Sequence, residues 1–234
     1  MIVTIHQPHF LPWIPYINKL VNSDLFIVLD DVDYRKNYFQ NRTRIVDSFC
    51  RKNWLTIPVK HVHLGTPISQ VQIATSSLAL RTSINRLIES YHTQHEDKFL
   101  RAVISILEKP PDRLIDINML LLELVLQELH FTNLEIKPIS AIVGKMPRNK
   151  RILTALKEVQ ATEVIIGMGG MRNANNLSEW ENEGIKLNFQ YPQVTSDDCS
   201  LKFGDGVSIL HDIVTFGPEK AGFIVRQFWS RQND

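Results

Sequence analysis

Short apolar runs that end in loops rich in Pro, Asp or Gly constrain this chain most. They are "MIVTI" (1–5), "DLFIVLDDV" (24–32) and "TEVIIGMGG" (162–170). β-branched runs of this length, bounded by such residues, read as buried strands. Between the first two lies "WIPYINKLVNS" (13–23), with Trp13, Ile14, Ile17, Leu20 and Val21 near helical spacing. Pro12 or Pro15 suits a first helical turn, where a missing N–H costs little. Strand, loop, helix, strand is a βαβ unit, whose crossover keeps the two strands parallel. The expected fold class is α/β, a Rossmann-like and mostly parallel sheet. Residues 1–5, 24–30 and 162–167 are expected to be neighbours in it.

The rest of the chain extends this pattern. "WLTIPV" (54–59) reads as a strand. "LALRTSINRLIESYHTQ" (78–94), "DKFLRAVISILE" (97–108) and "RLIDINMLLLELVLQELH" (113–130) keep apolar residues at helical spacing, and Pro110-Pro111 separates the last two. The α/β rhythm then returns. "LEIKPISAIV" (134–143) and "IKLNFQY" (185–191) are strand-like. "NKRILTALKEV" (149–159), "NNLSEWENEG" (175–184) and "VSILHDIVTFG" (207–217) are helix-like. At 234 residues the chain is long enough for a sizeable core without staples. It is expected to form one α/β domain, 1–234, with 78–131 as a helical insertion or subdomain.

Composition narrows the class. A net charge of +1 argues against a dedicated polyanion binder and leaves a local basic patch open. Cys50 and Cys199 form no CxxC pair, so free thiols in a reducing compartment are expected. The start lacks the basic and apolar regions of a signal peptide. The longest apolar stretch, 117–129, is broken by Asn118, Glu123 and Gln127, too short and polar for a membrane span. The expectation is a cytoplasmic, soluble protein. No zinc-type ligand spacing occurs among His61, His63, His92, His95 and His130, so no metal is expected. Nor is there a local nucleophile motif.

Open parallel sheets bind ligands outside the carboxyl ends of their strands. Here those ends carry "HQPHF", "DDVDY" and "GMGGMRN". Gln7 offers an amide with donors and an acceptor. His6 and His9 titrate near neutral pH, and they also fit a buried histidine and a loop residue. Pro8 and Pro12 fix the loop, while Phe10, Trp13 and Tyr16 supply stacking surface. Asp30, Asp31 and Asp33 suit an amine, a sugar hydroxyl, a metal or a turn. In "QNRTR", Asn41, Arg42 and Arg44 follow Lys36, Tyr38 and Phe39, and arginine suits bidentate contact with phosphate or carboxylate. Gly169 and Gly170 make either a tight turn or an anion-facing backbone; no G-K-[ST] follows them. Arg148, Lys150 and Arg151 add charge nearby.

Together "IHQPHFLPWIPYINKL", "DLFIVLDDVDYRKNYFQNRTRI", "NWLTIPV", "ATEVIIGMGGM" and "VSILHDIVTFGP" resemble the WbqC-like protein family, associated with bacterial O-antigen and other surface-glycan clusters. The likeness runs along nearly the whole chain. Two positions depart from the family pattern: Pro15 stands where a Gly is usual, and His6 where an apolar residue, commonly Met, is frequent. "WIPY" (13–16) also falls where nucleotidyltransferases and class I synthetases carry H-x-G-H at a helix start. "HQPH" (6–9) has that two-His spacing but comes too early and lacks the Gly.

The WbqC-like resemblance implies a transferase of surface-polysaccharide (O-antigen type) precursor biosynthesis. It would add an aminoacyl (glycyl-like) or acyl group to an amino sugar or nucleotide-linked sugar. Amide formation needs a proton acceptor and oxyanion stabilisation. Asp30 or Asp31 is the expected acceptor, with His6 secondary. Gln7, His9, Trp13, Tyr16, Asn41, Arg42, Arg44, Gly169 and Gly170 are expected to bind substrate. The donor is open among an acyl-tRNA, an acyl thioester and an ATP-made adenylate. So is the oligomeric state. The rivals are a non-catalytic nucleotide-sugar binding protein and an ATP-dependent nucleotidyltransferase-like enzyme.

Overall fold

The computed structural model describes residues 1–167, 169, 177–191 and 206–229. Five parallel strands make the main sheet: β1 (Ile2–His6), β2 (Leu25–Val28), β5 (Glu135–Pro138), β6 (Glu163–Gly167) and β7 (Lys186–Gln190). Their order is β5-β2-β1-β6-β7. The expected neighbours 1–5, 24–30 and 162–167 thus lie side by side, and the Rossmann-like α/β class holds. The chain leaves β1 toward β2 and later returns to its other side with β6. The strand order therefore reverses between β1 and β6, where doubly wound sheets place their ligands.

Both faces of the sheet are covered, and strand alternation assigns residues to each. Leu25 and Ile27 pack with Val3, Val164 and Ile166 under α5 (Ile139–Val143) and α6 (Arg148–Glu158). Phe26, Val28 and Ile165 pack on the other face under α1 (Ile14–Val21), α8 (Ile209–Phe216) and α9 (Pro218–Phe228). The buried Asn18 ties α1 down: its amide donates to the carbonyls of Val225 and Trp229 at 2.7 and 2.9 Å and accepts from Gln190 at 2.6 Å. With sheet below and α9 beside it, α1 buries nearly all of its circumference, Lys19 included.

The chain between β2 and β5 holds an antiparallel hairpin, β3 (Arg42–Val46) with β4 (Lys52–Thr56). The helices α2 (Leu78–Ser90), α3 (Lys98–Glu108) and α4 (Leu114–Glu128) follow it. Ser77 and Asp97 cap α2 and α3 by accepting from Leu80 and Leu100. Buried residues of all three helices join the core of α1.

Two local readings change. Residues 134–143 are not one strand: β5 stops at Pro138 and Ile139 starts α5. Proline has no N–H to continue a ladder, and the Asp30 carboxylate receives the first turn of α5 instead. The second change is α9 at Pro218–Phe228, which follows the expected helix after Gly217 turns the chain at φ 82°. The helix expected at 175–184 is α7 (Leu177–Asn182), with 175–176 outside the described residues.

Candidate functional site

The site is built on the loop leaving β1. Its backbone is tied to the loop before β3: the Phe10 N–H donates to the Phe39 carbonyl at 2.9 Å, and the Thr43 hydroxyl to the Leu11 carbonyl at 3.0 Å. Leu11, fully buried, sits at φ 42°, a left-handed conformation that a large side chain tolerates only under surrounding constraint. Pro8 and Pro12 flank this strained segment. The loop turns the polar and aromatic groups of "HQPHFLPW" toward α1 and the β3 side, where they pack on one another.

A fixed hydrogen-bond relay orients the polar members. The Arg35 N–H donates to Gln40 Oε1 at 2.6 Å, and Gln40 Nε2 donates to Gln7 Oε1 at 3.0 Å. Gln7 Nε2 then donates to His9 Nε2 at 3.3 Å. A ring nitrogen that accepts carries no proton, so neutral His9 holds its hydrogen on Nδ1. That Nδ1 is buried and has no acceptor. His6 Nδ1 lies 2.9 Å from the Gln7 carbonyl, which only accepts. Neutral His6 is therefore protonated on Nδ1, leaving the Nε2 lone pair as a base. The Tyr16 hydroxyl donates to the same carbonyl at 3.2 Å.

Burial sets the charges. It lowers His6 well below the ordinary histidine value, with Lys19 and His9 adding to the effect. His9 is lowered to about 3, first by burial and then by Lys19. Lys19 itself is lowered to about 7 by burial alone. Burial likewise keeps the Tyr16 phenol protonated. Lys19 reaches the site from α1: its Nζ lies 5.6 Å from the Tyr16 ring centre, and its tail runs beside Gly167 at the end of β6. At neutral pH the centre thus holds two uncharged imidazoles beside an amine whose charge burial disfavours.

Aromatic contacts carry the site outward. His9 stacks on Tyr16 (5.2 Å between centres) and on Phe39 (5.6 Å). Phe39 stacks on Trp13 and meets Trp54, each at 5.8 Å. Arg42 and Arg44 lie two apart on β3 and so share a face. Both place their guanidinium over the Trp54 indole, at 3.9 and 4.8 Å. Gly206 holds this ladder in place: at φ 65°, a Cβ there would stand 2.7 Å from the Phe39 ring.

The remaining expected residues have local partners. Both Asp30 oxygens accept from Ser140, Oδ1 from its N–H at 3.1 Å and Oδ2 from its hydroxyl at 2.5 Å. Asp31 Oδ2 pairs with Arg151 Nη1 at 2.8 Å. The aspartates thus fasten the end of β2 to α5 and α6, on the face away from α1. Asn41 joins the hairpin, donating to the Ile57 carbonyl at 3.0 Å and accepting from the Ile57 N–H at 2.7 Å. Gly169 is exposed; Gly170 lies outside the described residues. So Gln7, His6, His9, Trp13, Tyr16, Arg42 and Arg44 belong to one contact chain.

Gln40, Lys19 and Trp54 are members that the sequence reading did not name. "INKL" inside a helix reads as a surface lysine, and Gln40 sits in a polar run. No local signal marked Lys19 as buried: its neighbours Asn18 and Leu20 are one polar and one apolar residue. Among the described residues no group of three His, Cys, Asp or Glu side chains stands together as metal ligands. No described helix is long and apolar enough to cross a membrane.

Comparison with known proteins adds to this geometry. A curated protein of Mycobacterium tuberculosis, "Uncharacterized protein Rv1507c", is 38% identical over 58 residues, which is 25% of this chain and 25% of that protein. The matched stretch thus spans a quarter of that relative. No solved structure matches the chain. The model of the WbqC-like protein family aligns with residues 7–222, from Gln7 in the first loop to Gly222 in α9. That span takes in every strand after β1 and the whole relay from Gln7 to Gln40, and on it the chain belongs to the WbqC-like protein family.

Proposed function

We propose that this protein is a transferase of surface-glycan precursor biosynthesis. It joins an aminoacyl (glycyl-type) or acyl group to the amine of an amino sugar, free or nucleotide-linked. Family membership supports the glycan context. The observation that carries the chemistry is His6 at the carboxyl end of β1, its ring 4.6 Å from that of His9 and its Nδ1 bound to the Gln7 carbonyl, which leaves Nε2 free to accept a proton. A sugar amine is protonated at neutral pH and must lose that proton before it attacks.

The sugar ammonium releases its first proton to solvent as it enters the site. The amine nitrogen then forms a bond to the acyl carbon and gives its second proton to His6 Nε2, while the bond from that carbon to its leaving group breaks. The leaving oxygen or sulfur takes that proton from His6. The Gln7 carbonyl holds the His6 ring in the tautomer this requires. Asp30 and Asp31, engaged by Ser140 and Arg151, keep the β2 end in place. The Trp13–Phe39–Trp54 ladder, with its two guanidiniums, offers a stacking and cationic rim for the base of a nucleotide. The donor is an activated acyl group: an acyl-tRNA, an acyl thioester or an adenylate made from ATP.

The test mixes the purified protein with nucleotide-linked amino sugars and each donor class, followed by mass spectrometry. The expected product is an acceptor heavier by one acyl or glycyl group. His6→Asn lowers turnover by about 100-fold, the scale of a lost general base. Saturable binding without product for every donor identifies a binding protein instead. Pyrophosphate release with a nucleotidylated product identifies nucleotidyl transfer.

A further inference from the structure

We propose that Lys19 receives the diphosphate of a nucleotide-linked substrate where β1 and β6 part; the choice of a nucleotide-linked substrate rests on the transferase reading above.

Lys19 is 5% exposed, yet its amine has no ion pair and no hydrogen bond among the described residues. Among the described residues, the groups recorded against it are His6 from β1, His9 from the following loop, Tyr16 from its own helix and Gly167 from β6. None of these carries a negative charge. An ammonium packed among neutral groups loses much of its hydration and gains no counter-charge in return. A methionine of similar length would fill the same space without that cost. The amine is therefore a poor structural choice and a good one for meeting an incoming anion.

Position selects the anion. In doubly wound sheets the point of strand reversal is where phosphates of nucleotides lie. Gly167 presents no side chain there, and its Cβ position is 3.6 Å from Lys19 Nζ, so a larger residue would cover the amine. A second buried donor without an acceptor, His9 Nδ1, belongs to the same electrostatic cluster. A diphosphate carries enough acceptor oxygens for both. Burial lowers Lys19 to about 7 in the empty site. An anion beside it raises that value again, so binding takes up a proton whenever the empty site is neutral.

The experiment is calorimetric titration of the full chain with UDP-N-acetylglucosamine and, separately, with sodium sulfate. Sulfate keeps a constant charge between pH 6.5 and 9, and UDP-N-acetylglucosamine does so up to about pH 8, below the range where its uracil N–H ionises. Measurements in two buffers of different ionisation enthalpy count the protons taken up. The expected result is uptake approaching one proton above pH 7. Sulfate affinity should fall about tenfold from pH 8 to pH 9. Lys19→Met should melt no lower than the wild type, bind at least tenfold more weakly and take up no proton. Sulfate binding with proton uptake, but no UDP-N-acetylglucosamine binding, overturns the diphosphate assignment. No binding of either probe at 10 mM, binding without proton uptake, or unchanged affinity in Lys19→Met overturns the role of Lys19 outright. If Lys19→Met fails to fold, proton uptake by the wild type decides. Anion binding in a protein that transfers no acyl group overturns the transferase reading alone. Acyl transfer undiminished in Lys19→Met overturns this one alone.

Discussion

Gln40 Nε2 donates to Gln7 Oε1 at 3.0 Å, joining two loops 33 residues apart in sequence. Gln40 is fully buried, and its own carbonyl accepts from Asn118 of α4 at 2.8 Å. The helices after the hairpin thereby reach the first loop through one side chain. The bond also decides which way the Gln7 amide faces, and so which nitrogen of His9 is protonated.

Gln40→Leu should destabilise the protein by about 1–3 kcal/mol, because it strands the Arg35 N–H and Gln7 Oε1 without partners. Urea unfolding followed by circular dichroism measures this. Gln40→Glu keeps the acceptor for Arg35 but cannot donate to Gln7. It should cost a similar amount at pH 8, and an equal stability to wild type would show that the relay contributes nothing.

The buried histidines make the fold sensitive to acid. His9 is lowered to about 3 in the folded chain, while an unfolded histidine titrates near the usual value of about 6.5. Between those values the unfolded chain binds a proton that the folded one refuses. Stability is therefore complete above pH 6.5 and is lost as pH falls, by about 1.4 kcal/mol per pH unit for each such ring. Urea midpoints measured from pH 7.5 to 4.5 should fall steadily. In His9→Gln the slope should be shallower.

Asp212 on α8 behaves in the opposite sense. Burial raises its carboxyl to about 8, and its Oδ1 has no partner. Here the folded chain holds a proton that the unfolded chain has released, so stability is lost as pH rises from about 4 to 8. Asp212→Asn should be more stable than the wild type by about 2 kcal/mol or more at pH 8. At pH 4 the two should match within about 0.5 kcal/mol. Thermal melts at the two pH values give the comparison.

Asp31 and His6 should separate stability from turnover. Asp31→Asn removes the counter-charge of Arg151, whose side chain is 8% exposed. Leaving that guanidinium unpaired should cost about 1–3 kcal/mol, below the figure for a fully enclosed pair because Asp31 itself is one-third exposed. His6→Asn should cost less stability and more turnover. Assays run well below both melting temperatures, with melts alongside, read the split. A larger loss of turnover in Asp31→Asn than in His6→Asn would return the role of proton acceptor to the aspartate.

Trp54 should act as the platform for the basic rim. Trp54→Leu leaves Arg42 and Arg44 without the indole beneath them. Each stacked guanidinium is worth about 0.5–1 kcal/mol at a surface site. The expected outcome is a KM for the nucleotide-linked acceptor raised severalfold with kcat little changed. A change confined to kcat would place the ladder in the chemistry instead.

Strand runs, helical periodicity and Pro and Gly punctuation are properties of neighbouring residues. They were enough to place β1, α1, β2, the three helices after the hairpin and β6, because local backbone preference and apolar spacing act within a few residues. They also pointed to the loop ends where His6, Gln7 and Arg42 lie. The tertiary structure alone decided which polar groups are paired. Asp30 meets Ser140 and Asp31 meets Arg151 across separations of 110 and 120 residues, distances over which no periodicity carries information. The same holds for Lys19. Its helix has an ordinary amphipathic pattern, and only the packing of α1 against the ends of β1 and β6 and the first loop takes it out of water. Desolvation depends on what packs around a group, so the charge of that amine was set by elements far along the chain.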